Sequence, residues 1–97
     1  SEQPELAKLA RLRLARIEFS QGKHDAALAT LDAGEGSAAS DELRGDIMVS
    51  LGRDGDAFAA YSKALSGYAN VTDKREVVQM KLDDLAVVAA NAQSSVE

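Results

Sequence analysis

Gly45-Asp46-Ile47-Met48-Val49-Ser50-Leu51-Gly52-Arg53-Asp54-Gly55-Asp56-Ala57-Phe58-Ala59-Ala60-Tyr61 spells a helix, a tight turn and the start of a second helix, and its outline occurs twice in the chain. Placing Gly22 on Gly52 aligns Ala27 with Ala57 and Leu31 with Tyr61, at a spacing of thirty residues. In each copy a glycine supplies the turn, a small residue five positions later lets two helices approach, and a large apolar residue nine positions later fills the gap between them. Gly45, seven residues before Gly52, offers the same close approach from the first helix of its unit. Ala15 holds that place in the earlier copy.

Outward from these units the periodicity predicts five helices. The first runs from about Pro4 to Gln21, with apolar stripes Leu6, Ala10, Leu14, Ile17 and Leu9, Leu12, Phe19. A short second helix opens near Asp25 and stops near Ala33. Gly34-Glu35-Gly36-Ser37 then breaks the chain, and Ser37 is placed to cap a third helix over Ala38 to Leu51. The fourth is predicted over Asp56 to Ser66, with Ala57, Phe58, Tyr61, Ala64 and Leu65 inward and Gly67 to Val71 as the following connection. Asp73 and Glu76 have capping-box spacing before the most regular stripe in the chain, Val78, Leu82, Leu85, Ala89 and Ala92. The polar stretch from Asn91 to Glu97 is expected to fray.

Composition agrees with helices packed at close range. The chain has 97 residues, room for one small domain, and 45% are hydrophobic with only 4% aromatic. Eighteen alanines carry much of that fraction, and one proline leaves helices uninterrupted. The net charge of −5 is concentrated in residues 32–60, which hold two bases against seven acids. A nucleic-acid partner would need clustered Lys and Arg, so nucleic acid is set aside. No apolar run reaches the ~20 residues of a membrane span. Without cysteine there is no disulfide, no thiolate nucleophile and no Cys-ligated metal.

The repeated unit resembles the tetratricopeptide repeat, carried best by Gly45 through Gly52, Ala57, Tyr61 and Ala64-Leu65. The first copy is looser, with Gly34 where a late alanine is usual, and thirty residues fall four short of the standard repeat length of about 34. That resemblance implies an all-α helical-repeat fold of two helix-turn-helix units plus a C-terminal capping helix, in a single domain over residues 1–97. Two units are fewer than such stacks need, so the chain is expected to be the C-terminal part of a longer solenoid.

A narrower resemblance rests on Leu9-Ala10-Arg11-Leu12-Arg13-Leu14-Ala15, Gly34-Glu35-Gly36, Arg44-Gly45-Asp46 and above all Gln79-Met80-Lys81-Leu82-Asp83-Asp84-Leu85, a heptapeptide that generic repeats do not dictate. Over about residues 6 to 86 the chain resembles the YfgM-like ancillary subunits of the bacterial SecYEG translocon. That family implies a periplasmic repeat domain of a membrane-anchored inner-membrane protein, with the SecYEG translocon and periplasmic chaperones as partners. This chain has Ser37 where the family usually has an aromatic residue after Gly-Glu-Gly.

The repeat pattern places the groove on the first helix of each unit. It therefore implies Leu12, Arg16 and Phe19, beside Leu9, and Glu42, Asp46 and Val49 as the protein-binding residues. Repeats that clamp a chaperone's terminal carboxylate use Lys and Asn at two of these places. Glu42 and Asp46 would oppose a carboxylate, so apolar or basic polypeptide is the expected ligand. The alternative is a structural or oligomerisation role, with the ligand surface in a preceding part of the protein.

No catalytic, cofactor or metal constellation emerges. Arg44-Gly45-Asp46 falls inside a helix, where Gly45 serves packing rather than adhesion. Asp54-Gly55-Asp56 lacks the later ligands of a calcium loop, and Gly34-Glu35-Gly36 lacks the third glycine of a dinucleotide site. His24 takes the place of a packing ring at the start of a second helix, with no nucleophile implied beside it. Asp83 and Asp84, adjacent on a helix, diverge too far to share a proton or metal.

Overall fold

Both turn glycines adopt the left-handed conformation that only glycine enters without strain, with φ of 78° at Gly22 and 74° at Gly52. In each the residue after the glycine donates its N–H five residues back, Lys23 to Glu18 at 2.9 Å and Arg53 to Met48 at 2.8 Å. The glycines themselves donate three back, to Phe19 and Val49. The paired bonds make the same Schellman turn twice, so the repeat read from the letters is also a repeat of hydrogen bonding.

The computed structural model describes residues 3–96, with side chains through residue 92. It consists of α1 (Gln3–Ser20), α2 (His24–Asp32), α3 (Ala38–Ser50), α4 (Asp54–Tyr68) and α5 (Thr72–Val96), with no strand among the described residues. Each helix packs on the next, most extensively α3 on α4, α1 on α2 and α4 on α5. The molecule is 56 × 32 × 16 Å. Since packed helix axes lie ~8–10 Å apart, the short dimension admits two helical layers and no third. Helix α3 touches α1 directly and reaches α5 through Lys81, while α2 packs on α1 and α3, and α4 packs on α3 and α5. This arrangement sets α1, α3 and α5 on one side as the inner layer.

Two apolar clusters meet at α3. Leu12, Ala15, Ala27, Leu31, Leu43 and Ile47 join α1, α2 and α3, while Met48, Ala57, Tyr61, Ala64, Val78, Leu82 and Leu85 join α3, α4 and α5. Leu28 packs against both. The small residues expected at helix crossings, Ala15, Ala27 and Ala57, are fully buried. A Cβ on Gly45 would lie 2.4 Å from the Tyr61 ring, so the bare backbone of α3 is what that ring rests on.

Gly45 and Gly52 are therefore needed for different reasons. Gly45→Ala should overpack the Tyr61 contact at a cost of about 1–3 kcal/mol. Gly52→Ala should cost about 1–2 kcal/mol through its positive φ alone, since nothing lies within 4 Å of the added carbon. Urea denaturation should show Gly52→Asn recovering much of the loss, because Asn tolerates that conformation, whereas Gly45→Ser recovers none. Equal recovery at the two positions would contradict this assignment.

Several local expectations shift. Helix α4 starts at Asp54 with Arg53 in the N-cap position, so Asp54 and Asp56 lie in its first turn near the positive end of the helix dipole. Gly67 lies inside α4 rather than in the connection, because its bare backbone is needed against Ala38, whose side chain would be 3.0 Å from a Cβ. The non-helical turn falls on Ala69, at φ 45°. Helix α5 begins at Thr72, so Asp73 is a first-turn residue and the capping box expected from Asp73 and Glu76 does not start the helix. With neither Gly nor Pro after Thr72, α5 runs as a helix through the polar stretch from Asn91 to Val96. The Ser37 cap is present, reciprocated by Ser40.

Burial also differs from the stripes. In α1 only Leu12 and Ala15 are buried, and Leu6, Leu14 and Ile17 stay 48–60% exposed because no helix packs on that side. Phe58, expected inward, is 54% exposed on the outer side of α4. Ala89 and Ala92 lie beyond the last buried residue of α5, Leu85.

Candidate functional site

Helices α3 and α5 present matching stripes to each other along the inner layer. Glu42, Asp46 and Val49 recur at four- and three-residue steps on α3, and Lys81, Leu85 and Val88 do the same on α5, with Asp84 one turn after Lys81 and one turn before Val88. At the polar end Lys81 Nζ donates to Glu42 Oε2 at 2.8 Å and to both oxygens of Asp46 at 3.0 and 3.2 Å. Two tyrosines of α4 reach the same carboxylates from behind. Tyr68 Oη donates to Glu42 Oε1 at 2.7 Å, and Tyr61 Oη to Asp46 Oδ1 at 2.5 Å. The Lys81 ammonium also stands 5.7 Å from the Tyr61 ring centre, within cation–π range.

These five side chains fasten three helices. Burial by itself would raise the Glu42 carboxyl, but the hydrogen bonds from Lys81 and Tyr68 outweigh it and hold the group below its ordinary 4.5. Burial would likewise lower the Lys81 ammonium, and the bonds to Glu42 and Asp46 outweigh it and raise the group above 10.5. Both tyrosine hydroxyls are raised, first by burial and then by the carboxylates that accept from them. A depressed carboxyl stabilises the fold above its unfolded value and loses that contribution as pH falls through the folded value. For Glu42 the window lies below about pH 4.5.

Lys81→Met should therefore cost about 1–2 kcal/mol at pH 7, less than breaking a fully buried pair because Lys81 is 30% exposed. The gap between variant and parent in urea midpoints should narrow below about pH 4.5 as Glu42 protonates. A gap unchanged down to pH 3 would show that Lys81 contributes by packing rather than by charge.

The inner surface becomes apolar towards the C-terminal end of α3. Val49, Tyr61, Lys81, Asp84, Leu85 and Val88 line an open hollow of about 160 Å³. Val49 and Val88 are 42% and 53% exposed there. On α1, Arg16 is exposed and near enough to act on the Tyr68 hydroxyl through charge. Phe19 is half-buried and meets His24 edge-on, with ring centres 5.4 Å apart. His24 then ties the first turn to α3. Its Nδ1 is 2.9 Å from the Gly22 carbonyl, which can only accept, and its Nε2 is 2.9 Å from Ser50 Oγ.

Two helix pairs with equivalent glycine turns, a third inner helix and a shared inner surface define the repeat. A family model for a tetratricopeptide repeat-like domain matches residues 1–87. The chain belongs to that family. No curated protein and no solved structure matches it. Tetratricopeptide repeat-like domains are generally non-catalytic modules for protein–protein interaction, and the inner layer is the surface to weigh for it.

Of the residues implied at the sequence level, the structure brings Glu42, Asp46 and Val49 onto one stripe and leaves Arg16 exposed on α1. Leu12 is 9% exposed within the first core cluster, so its side chain is held by Ala15, Leu31 and their neighbours rather than offered to a partner. Glu42 and Asp46 are occupied by Lys81 and the tyrosines. Their partner in charge sits thirty-five or more residues away on α5, a pairing no local spacing could announce. Lys81, Asp84 and Val88 were missed as inner-surface residues. The signal for them is the 81, 84, 85, 88 stripe, adjacent to the regular Val78, Leu82, Leu85 stripe. Among the described residues, no group of acids and histidine is arranged to hold a metal ion, and no helix is long and apolar enough to cross a membrane.

Proposed function

We propose that this tetratricopeptide repeat-like chain is a non-catalytic protein-binding module whose inner layer receives polypeptide. The observation that carries it is the hollow between α3 and α5, where exposed Val49 and Val88 stand beside a surface already braced by the Lys81 network. A braced surface with apolar side chains left open can bind without first reorganising. The heptapeptide from Gln79 to Leu85 further supports a translocon-associated protein of the bacterial periplasm, with the SecYEG translocon, periplasmic chaperones or emerging polypeptide as partners. Such a role assigns the whole protein to the inner membrane by an anchor outside this chain.

A photo-cross-linking residue placed at Val49 should capture purified SecYEG, a periplasmic chaperone or an unfolded polypeptide, while the same residue at Phe58 on the outer side of α4 should not. Equal capture from both positions would remove the inner surface from the proposal. The assembly reading has one observation in its favour, the uncovered Leu6, Leu14 and Ile17 of α1, which further repeats would cover.

A further inference from the structure

The Gln79 to Leu85 heptapeptide is only partly accounted for by the fold. Lys81 fastens α5 to α3, Leu82 and Leu85 are core, and Asp83 accepts a hydrogen bond from Gln79 at 3.1 Å. Asp84 is different: its carboxylate is exposed on the rim of the hollow and has neither hydrogen bond nor ion pair among the described residues. The hollow's apolar floor is Val49, Leu85 and Val88, and about 160 Å³ suits one bulky side chain, being far less than a whole helix of ~10–12 Å diameter displaces. Around it the hollow and its polar end hold the carboxylates Glu42, Asp46 and Asp84 against the ammonium of Lys81, with Lys74 and Arg16 acting from further off on Glu42 and Tyr68. Lys81 is committed to the first two, which leaves Asp84 to a partner's charge.

We infer that this hollow selects an extended partner segment in which a large apolar side chain is accompanied, two residues away, by Lys or Arg. The apolar side chain enters between Val49 and Val88, and the cation meets Asp84. Side chains at alternate positions of an extended chain share one face, which sets the spacing. The inference rests on the proposed binding role and names the class of sequence that role favours. Apolar burial gives the affinity, and the single rim charge gives discrimination against acidic segments.

The test uses the full chain and fluorescein-labelled decapeptides of Gly and Ser that carry Leu-Ser-Arg, Leu-Ser-Gln, Leu-Ser-Glu or Gly-Ser-Arg at the centre. Fluorescence anisotropy should rank the Arg peptide above Gln and Gln above Glu, with the Gly-Ser-Arg peptide at least about tenfold weaker than Leu-Ser-Arg. Asp84→Asn should weaken the Arg peptide by about two- to fivefold and leave the Gln peptide unchanged, a double-mutant cycle that isolates the pair. Val88→Ser should weaken all Leu peptides alike. Both positions are exposed, and circular dichroism should show that the variants keep the parent's helicity.

An Asp84→Asn effect equal on Arg and Gln peptides overturns the charge pairing while leaving the binding role intact, provided the cross-link at Val49 still forms. Loss of binding by every peptide together with loss of that cross-link overturns both. Sedimentation of the chain alone as a dimer that Val88→Ser dissociates would show that a second copy fills the hollow, and would overturn the inference in favour of self-association.

Discussion

Removal of α5 by ending the chain at Val71 should leave the remainder unfolded or aggregated. Val78, Leu82 and Leu85 are the part of the second core cluster that α5 contributes, and each is at most 9% exposed. At ~1.5–3 kcal/mol per buried side chain the three contribute about 4.5–9 kcal/mol as an upper estimate. That is comparable with the ~5–15 kcal/mol that stabilises a whole domain. The truncation also takes Lys81 from Glu42 and Asp46 and opens Tyr61, Ala64 and Met48 to water. Circular dichroism and sedimentation of the shortened chain should report lost helicity or large species. A monomer with the parent's helicity per residue would mean that α5 is an appendage rather than the closing helix of the stack.

The second large effect is expected at Tyr61, where packing and polarity coincide. Its ring is 3% exposed against the bare backbone of Gly45, and its hydroxyl donates to Asp46. Tyr61→Ala should cost about 3–5 kcal/mol, since the cavity lies where α3, α4 and α5 meet and cannot close without moving a helix. Tyr61→Phe keeps the ring and removes one donor from a carboxylate that Lys81 still serves, so about 0.5–1.5 kcal/mol is expected. Urea unfolding of the two variants separates the contributions. Equal losses would place nearly all of the residue's effect in the hydroxyl.

The fold was legible in the sequence for a physical reason: it rests on local backbone demands that occur twice. Gly22 and Gly52 need positive φ, and Ala27 and Ala57 need close helix approach. Both demands restrict residue type at fixed spacing, so they survive as a pattern. Where the pattern misled, two demands competed for one residue. Gly67 resembled a turn, but its contact with Ala38 keeps it inside α4 and passes the strained conformation to Ala69. Phe58 resembled core by hydrophobicity alone and lies outside it.

The candidate surface was only half legible. Its first-helix positions follow from the repeat, which is why Arg16, Phe19 and Val49 were named from the sequence. The long-range partners were not accessible in the same way. Leu12 was named for its register, although register says nothing of whether Ala15, Leu31 and Leu43 will surround it. Glu42 and Asp46 read as free acids, because Lys81 stands 39 and 35 residues further along the chain. Their neutralisation moves the acceptor for a basic segment to Asp84.

Backbone amide shifts of the isotopically labelled chain, followed by NMR during titration with an unfolded polypeptide, test the proposed inner binding surface most directly. The expected result is a contiguous set of changes on α1, α3 and α5 that includes Arg16, Phe19, Val49, Asp84 and Val88, with α2 and the outer side of α4 around Phe58 unaffected. Changes confined to α2 and α4 would contradict it.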